Sequence, residues 1–331
     1  MKILILGGTS FLGRHLVLEA IAKGHSVTLF NRGKTNPGLF PEVEQIRGDR
    51  DGELRPLKGR SWDVCIDTSG YLPRVVRQST TMLQGSVERY VFVSTVSVYH
   101  DFSKMGLKED APLAQVPDAN TEDIGQFYGA LKALCEREVM SAFGPDRALI
   151  VRPGLIVGPY DPTDRFTYWV RRFARGGRVL VPESKARPIQ FIDARDLAAW
   201  MLMQCQTDVT GVFNAAGPKS PLTMGGLVDA LQSTLPGAGT PEWVTEKFLL
   251  AHEVAEWSEL PLWISEAAQS AGEDAVSLER ALGQGLMLRP VTDTIRDTWE
   301  WDRARPQDTP MKAGLSADRE RRLLAYWDQG A

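Results

Sequence analysis

Tyr128 and Lys132, four residues apart in "YGALK", are side chains whose chemistry depends on their spacing. On a helix, residues i and i+4 share a face, so a phenol and an ammonium would enter the same crevice. A free phenol titrates near pH 10 and exchanges protons at neutral pH only with positive charge close by. Proton transfer at a substrate oxygen is therefore the chemistry this pair offers. Upstream, "VFVSTVSVY" ends an apolar run with two hydroxyls, Ser94 and Thr95, at what the pattern makes the carboxyl edge of a strand.

A second chemical stretch opens the chain. In "MKILILGGTSFLGRHL" the apolar run Ile3 to Leu6 breaks at Gly7-Gly8, and Gly13 begins a segment with helical periodicity. Strand, tight turn and helix in that order form a dinucleotide-binding fingerprint, which wants glycine wherever backbone must approach a pyrophosphate. Ser10 stands where the middle glycine is expected. Gly7, Gly8 and Gly13 still allow the turn and close helix packing, the helix N-terminus offers free N–H groups, and the small Ser10 side chain can itself donate.

The elements that must position these groups follow from the hydrophobic pattern. Strands are predicted at 2–6, 26–30, 43–47, 62–67, 89–94 and 147–151, with helices at 12–23, 71–84 and 124–142. Continuous apolar strands alternating with helices mean a parallel sheet covered on both faces, an α/β Rossmann-type doubly wound fold. A polar insertion at 100–123 has the length of a functional loop. Beyond residue 152 the units shorten, and the tail from 241 to 330 reads as mostly helical, its tryptophans as packing. The expected organisation is a dinucleotide-binding core over 1–152. Residues 153–331 would complete the sheet and form a smaller C-terminal lobe that roofs the crevice and shapes a substrate pocket.

Composition narrows the classes. A net charge of −4 supplies no broad positive field, so nucleic acid is not an expected partner, and "RRFAR" and "RERR" read as solvated helix faces. Cys65, Cys135 and Cys205 are scattered and apolar in context, as reduced core residues of a cytoplasmic protein would be. His15, His25, His100 and His252 form no metal-binding pair, so no metal is expected. No apolar run approaches the roughly 20 residues of a membrane span.

Taken in order, "GGTSFLG", "STVSVY", "YGALK" and "VRPGLIVGP" resemble the short-chain dehydrogenase/reductase superfamily, in its extended branch, the NAD-dependent epimerase/dehydratase family. The likeness runs from residue 1 to about 217, and the GGxxxxG turn is similar to that of an atypical subgroup holding reductases and chloroplast RNA-binding relatives. The resemblance implies Tyr128 as general acid/base, Lys132 tuning its pKa and bonding the nicotinamide ribose, and Thr95 holding the substrate oxygen. It further implies cofactor contacts from Gly7, Thr9, Ser10, Phe11, Leu12 and Gly13 in the turn. Asp49 in "GDRD" (with Arg50 beside it), Thr68, Ser69 and Gly70 in "DTSGY", Ser94 and Pro153 would add to these, together with Tyr128 and Lys132. At the end of the second strand, Asn31, Arg32 and Lys34 leave no carboxylate to accept from a ribose 2′-hydroxyl and offer two cations to a 2′-phosphate. NADP is therefore expected ahead of NAD.

Departures from the family pattern bear on the substrate. Val96 and Ser97 stand where sugar-nucleotide dehydratases carry an Asp-Glu pair, which removes that elimination. Ile189 replaces a phosphate-binding Arg, the nearest being Arg187. "GPYDPTDRFTYWVRR" puts Asp161, Asp164, Arg165, Tyr168 and Trp169 either in a polar wall and aromatic lid or at an ordinary helix start. The expected activity is hydride transfer between a nicotinamide cofactor and a carbonyl or secondary alcohol of a small polar substrate. An epimerase with retained cofactor and a non-catalytic dinucleotide- or RNA-binding protein are the alternatives. A homodimer through the Tyr-Lys helix is also implied by the resemblance.

Overall fold

The computed structural model describes residues 1–118, 120–266, 275–306 and 308–330; the remainder, within the polar insertion and the tail, lie outside the described residues. The first half of the chain gives β1 (Lys2–Leu6), α1 (Phe11–Ala22), β2 (Ser26–Asn31), β3 (Glu44–Arg47), β4 (Trp62–Asp67) and α2 (Pro73–Leu83). It continues with β5 (Val87–Val93), α3 (Ile124–Phe143) and β6 (Ala148–Pro153). These bounds lie within about two residues of the sequence expectation, the usual uncertainty of helix and strand ends.

The strands form one seven-stranded parallel sheet in the order β3-β2-β1-β4-β5-β6 and then β11 (Gly211–Ala215), which comes from the second half. Alternation explains why the strands are apolar throughout. Ile3 and Ile5 pack with Leu16 and Leu197 on one face, while Leu4 and Leu6 pack with Phe92, Cys135 and Val139 on the other. On the first face α1 lies beside α5 (Ala194–Cys205); on the second, α2 lies beside α3. Strand order reverses between β1 and β4, which opens the crevice that such sheets use for ligands.

The rest builds a separate apolar cluster. Its elements include β7 (Leu155–Val157), α4 (Arg165–Ala174), β8 (Arg178–Pro182), α6 (Met224–Thr234), β13 (Thr240–Val244), α9 (Val291–Arg303) and α10 (Ala317–Asp328). The short pieces between them are β9 (Pro188–Ile189), β10 (Phe191–Asp193), β12 (Leu222–Thr223), α7 (Glu246–Ala251) and α8 (Glu279–Gly283). Among its described residues the tail holds α7, α8, α9 and α10 with irregular chain between them. Trp169 and Trp263 are fully buried there and Trp200 nearly so under α1 and the sheet, which fits the packing reading. All three cysteines are buried.

Candidate functional site

The carboxyl ends of β1, β4 and β5 open into one cavity of about 1050 Å³. It is lined by every cofactor and catalytic residue expected from the sequence except Gly70. Gly70 is buried, and its carbonyl accepts from the Lys132 ammonium at 2.6 Å.

The turn after β1 shows why Ser10 is tolerated. Gly7 and Gly8 have φ of +113° and +96°, conformations closed to most side chains. Gly13 sits against the turn itself: a Cβ there would lie 2.8 Å from the Gly8 nitrogen and Cα. Ser10, by contrast, is extended (φ −135°) and exposed, so any residue can adopt its conformation. As N-cap of α1 it makes no side-chain capping bond, and the first turn of α1 carries no carboxylate. Uncapped N–H groups and the positive helix end therefore face the cavity, as a pyrophosphate requires. Phe11, at φ +33°, holds strain at the same spot. These features fit a dinucleotide.

At the far end of β2, Asn31 is used locally, accepting from Gly33 N (2.8 Å) and donating to the Gly7 carbonyl (3.4 Å). Arg32 lies 4.0 Å from Asp49, which stands in the turn after β3, and both line the cavity. Arg50, next in sequence, is instead a structural brace. Its guanidinium grips Asp67 at 2.6 and 2.8 Å, and Tyr90 donates to the same carboxylate at 2.8 Å. Burial opposes ionisation of Asp67, but Arg50 outweighs it and holds the carboxyl below its ordinary range.

The catalytic end is built by α3 and the turn after β5. Gly129 lets them meet: a Cβ there would fall 1.9 Å from the Ser97 carbonyl oxygen. Thr95 accepts from Ser97 N (3.1 Å) and donates to Ser97 Oγ (3.2 Å), which fixes its rotamer, and it lines the same cavity as the Tyr128 phenol. Burial pushes that phenol up to about 12, with Tyr71 nearby adding to the rise; Thr95 and then Arg165 pull it down. Lys132 is 3% exposed and donates at 2.6 Å to the carbonyls of both Gly70 and Val93, leaving one N–H of its three. Burial lowers it to about 8. Lys132 and Arg165 both stand at the cavity wall that carries Tyr128, and Arg165 lowers the phenol's pKa against burial.

Ser94 lines the cavity, but its hydroxyl is committed to Glu136 at 2.5 Å. Glu136, one turn beyond Lys132 on α3, is gripped by Arg152 at 2.9 and 2.7 Å, and Arg152 also donates to Tyr99 (3.1 Å) and the Glu109 carbonyl (2.9 Å). This buried network holds the end of β5 against α3 and β6. The segment 158–172 divides. Tyr168 and Trp169 are lobe core, Asp161 and Asp164 are buried beside a smaller cavity of about 310 Å³, and Arg165 alone of the five faces the main cavity. Arg187 does not line it. Tyr71, Gln190 and Trp257 do, and were not singled out; Trp257, in a loop after α7, gave no signal in the sequence.

Comparison with known proteins gives one family match, two curated relatives and one solved structure. The family model for the NAD-dependent epimerase/dehydratase family matches residues 74–216. The chain is 28% identical over 249 residues to a chloroplast stem-loop binding protein of 41 kDa from Arabidopsis thaliana, covering 69% of this chain and 62% of that one. It is 31% identical over 179 residues to a 2-alkyl-3-oxoalkanoate reductase of Stenotrophomonas maltophilia, covering 49% and 52%. The chain therefore spans less than two thirds of either curated relative. A solved UDP-glucose 4-epimerase of Thermus thermophilus, in complex with NAD, superposes with a TM-score of 0.65 at 18% identity over 92% of this chain and 100% of that one, a likeness of fold. Among the described residues no helix is long and apolar enough to cross a membrane.

Proposed function

We propose that the chain, whose residues 74–216 match the model of the NAD-dependent epimerase/dehydratase family, is a nicotinamide-dependent oxidoreductase acting on a carbonyl or secondary alcohol of a small polar substrate. The observation that carries this reading is that the glycine turn of 7–13 and the set Thr95, Tyr128 and Lys132 line one cavity. The turn and the N-terminus of α1 would hold the pyrophosphate, and Asn31, Arg32, Lys34 and Asp49 would surround the adenosine end. The bound nicotinamide supplies or accepts the hydride.

Tyr128 carries its proton at neutral pH, since its phenol lies near 12. It is thus set to donate from Oη to a carbonyl oxygen as that oxygen gains charge, the reductive direction. Thr95, fixed by Ser97, would align the same oxygen. Lys132, anchored by two carbonyls, keeps one N–H that would serve a ribose hydroxyl. We assign the cofactor to the half built by residues 1–152 and the substrate to the lobe from 153 on, in a cytoplasmic homodimer joined through α3, the Tyr-Lys helix.

NADP is the preferred cofactor in this reading, because Arg32 and Lys34 end β2 without a carboxylate on that strand; Asp49 beside Arg32 is the feature that favours NAD. Titration with NADPH and NADH, followed by a carbonyl screen, tests both points. Consumption of NAD(P)H marks a reductase, and tight co-purified cofactor that is not consumed marks an epimerase. A second reading, binding of structured RNA, draws on the likeness to the chloroplast stem-loop binding protein over 69% of this chain. Salt-dependent shift of a stem-loop RNA at physiological ionic strength would support it.

A further inference from the structure

Lys132 is a buried cation without a carboxylate of its own. Its side chain is 3% exposed, and among the described residues no carboxylate oxygen lies within 4 Å of its ammonium. The two acids that face it are committed elsewhere: Asp67, from β4, is gripped by Arg50, and Glu136, one turn on along α3, by Arg152. Its other titratable neighbours supply no anion. Arg50 is itself a cation, Cys135 is a thiol that burial pushes up to about 12, and burial raises the phenols of Tyr128 and Tyr71, so both stay protonated at neutral pH. The ammonium has neutral partners instead. It donates to the Gly70 and Val93 carbonyls at 2.6 Å, and it stands over two rings, 4.2 Å from the centroid of Phe92 and 5.4 Å from that of Tyr71.

A tyrosine 46% exposed at the edge of a cavity is ordinary, and two carbonyls already satisfy two of the three N–H bonds of a lysine. Two observations go further. A buried ammonium without a counter-ion must recover its lost hydration from the dipoles around it, and an aromatic face within about 6 Å is one of these, stronger where water is excluded. The chain also ties the Tyr71 ring to this ammonium, because the Gly70 carbonyl that Lys132 holds belongs to the residue just before it; the ring lies beside Tyr128, with centroids 6.4 Å apart. We propose that Tyr71 is a positioning residue of the hydride-transfer site: its ring, together with that of Phe92, takes the place of a counter-ion and keeps the Lys132 ammonium charged at the cavity wall. Phe92 is buried in the sheet, so Tyr71 is the half of this cradle that can be altered without opening the core. The use of the charge, toward a ribose hydroxyl of the cofactor, rests on the oxidoreductase reading above; the ring contact itself does not.

The test follows Lys132 directly, in the full chain with its lysines isotope-labelled at Cε and the Lys132 resonance assigned by its absence from Lys132→Met. Titration of that resonance with pH, without cofactor, gives its midpoint. Tyr71→Leu lowers the midpoint by about half to one pH unit, the size of a desolvated cation–π contact. Tyr71→Phe, which keeps the ring and loses only the hydroxyl, leaves it in place. The pH above which NADPH affinity falls moves with the midpoint, downward in Tyr71→Leu and not at all in Tyr71→Phe. A midpoint unchanged or raised in Tyr71→Leu, or lowered equally in Tyr71→Phe, overturns the proposal. Failure of NADPH to bind the native chain strikes the oxidoreductase reading instead, and the titration still decides the ring contact.

Discussion

Gly13→Ala is the perturbation whose effect can be worked most fully from the structure. The added methyl carbon would stand 2.8 Å from Gly8 N and Cα, and ordinary contact begins near 3.4 Å. Neither atom belongs to a side chain that can turn away, so α1 and the glycine turn must separate by about 0.6 Å. Overpacking of this kind costs about 1–3 kcal/mol. Alanine in place of glycine within a helix returns about 1 kcal/mol. Net stability should therefore fall only slightly, by about 0–2 kcal/mol. The N–H groups that face the phosphates move with the helix, and each charge-assisted bond lost is worth about 1.5–3 kcal/mol. NADPH affinity should accordingly drop roughly 10- to 100-fold. Ser10→Gly, at an exposed and extended position, should change affinity less than about threefold beyond loss of one hydroxyl contact. Nicotinamide fluorescence gives the affinities and thermal melting the stabilities. If Gly13→Ala binds NADPH like the native chain while Ser10→Gly does not, the account of the turn is wrong.

Tyr128→Phe removes the proton donor; turnover should fall about 10²–10⁴-fold with cofactor affinity kept, measured by NADPH oxidation on a substrate from the carbonyl screen. Lys132, lowered by burial to about 8, loses its charge as pH rises through that value, so NADPH affinity should weaken roughly tenfold between pH 7 and 9.5 and be flat in Lys132→Met. The same depressed pKa means the folded chain without cofactor binds fewer protons than the unfolded one from about pH 8 to its ordinary 10.5. Lys132 therefore makes stability rise with pH across that window, a slope that denaturant melts should lose in Lys132→Met. Arg152→Met strands the buried Glu136 carboxylate, and urea denaturation should show a loss of about 3–5 kcal/mol; a loss under about 1 kcal/mol would mean the network is slack.

The nucleotide-binding half is legible in the sequence because its signals are local. "KILIL" can only be a strand buried on both faces, and Gly7, Gly8 and Gly13 announce a turn whose geometry the structure explains atom by atom. Tyr128 and Lys132 meet the same cavity because four residues on one helix fix their common face. Other parts depend on long-range packing that no spacing encodes. The pairing of Glu136 with Arg152, the bracing of Asp67 by Arg50 and the approach of Asp49 to Arg32 join side chains from different strands and turns. Gly70 reads as a cofactor contact because it follows β4, yet its carbonyl is taken by Lys132 from α3. Arg165 and Trp257 lie 92 residues apart in number and are brought together only by the lobe. The segment at 158–172 shows the limit well: helical periodicity buries Tyr168 and Trp169, while Pro162, Thr163 and Arg165 line the cavity.

The central claim, that one cavity joins a nicotinamide site to a proton-donating Tyr128, is tested most directly by tracing the hydride. The chain is incubated with NADPH deuterated at the transferring position of the nicotinamide and a pool of small carbonyl compounds, and the resulting alcohols are analysed by mass spectrometry. The account predicts deuterium at the carbinol carbon of at least one alcohol with the native chain and none above background with Tyr128→Phe. Bound NADPH with no labelled alcohol, or equal labelling by Tyr128→Phe, would contradict it.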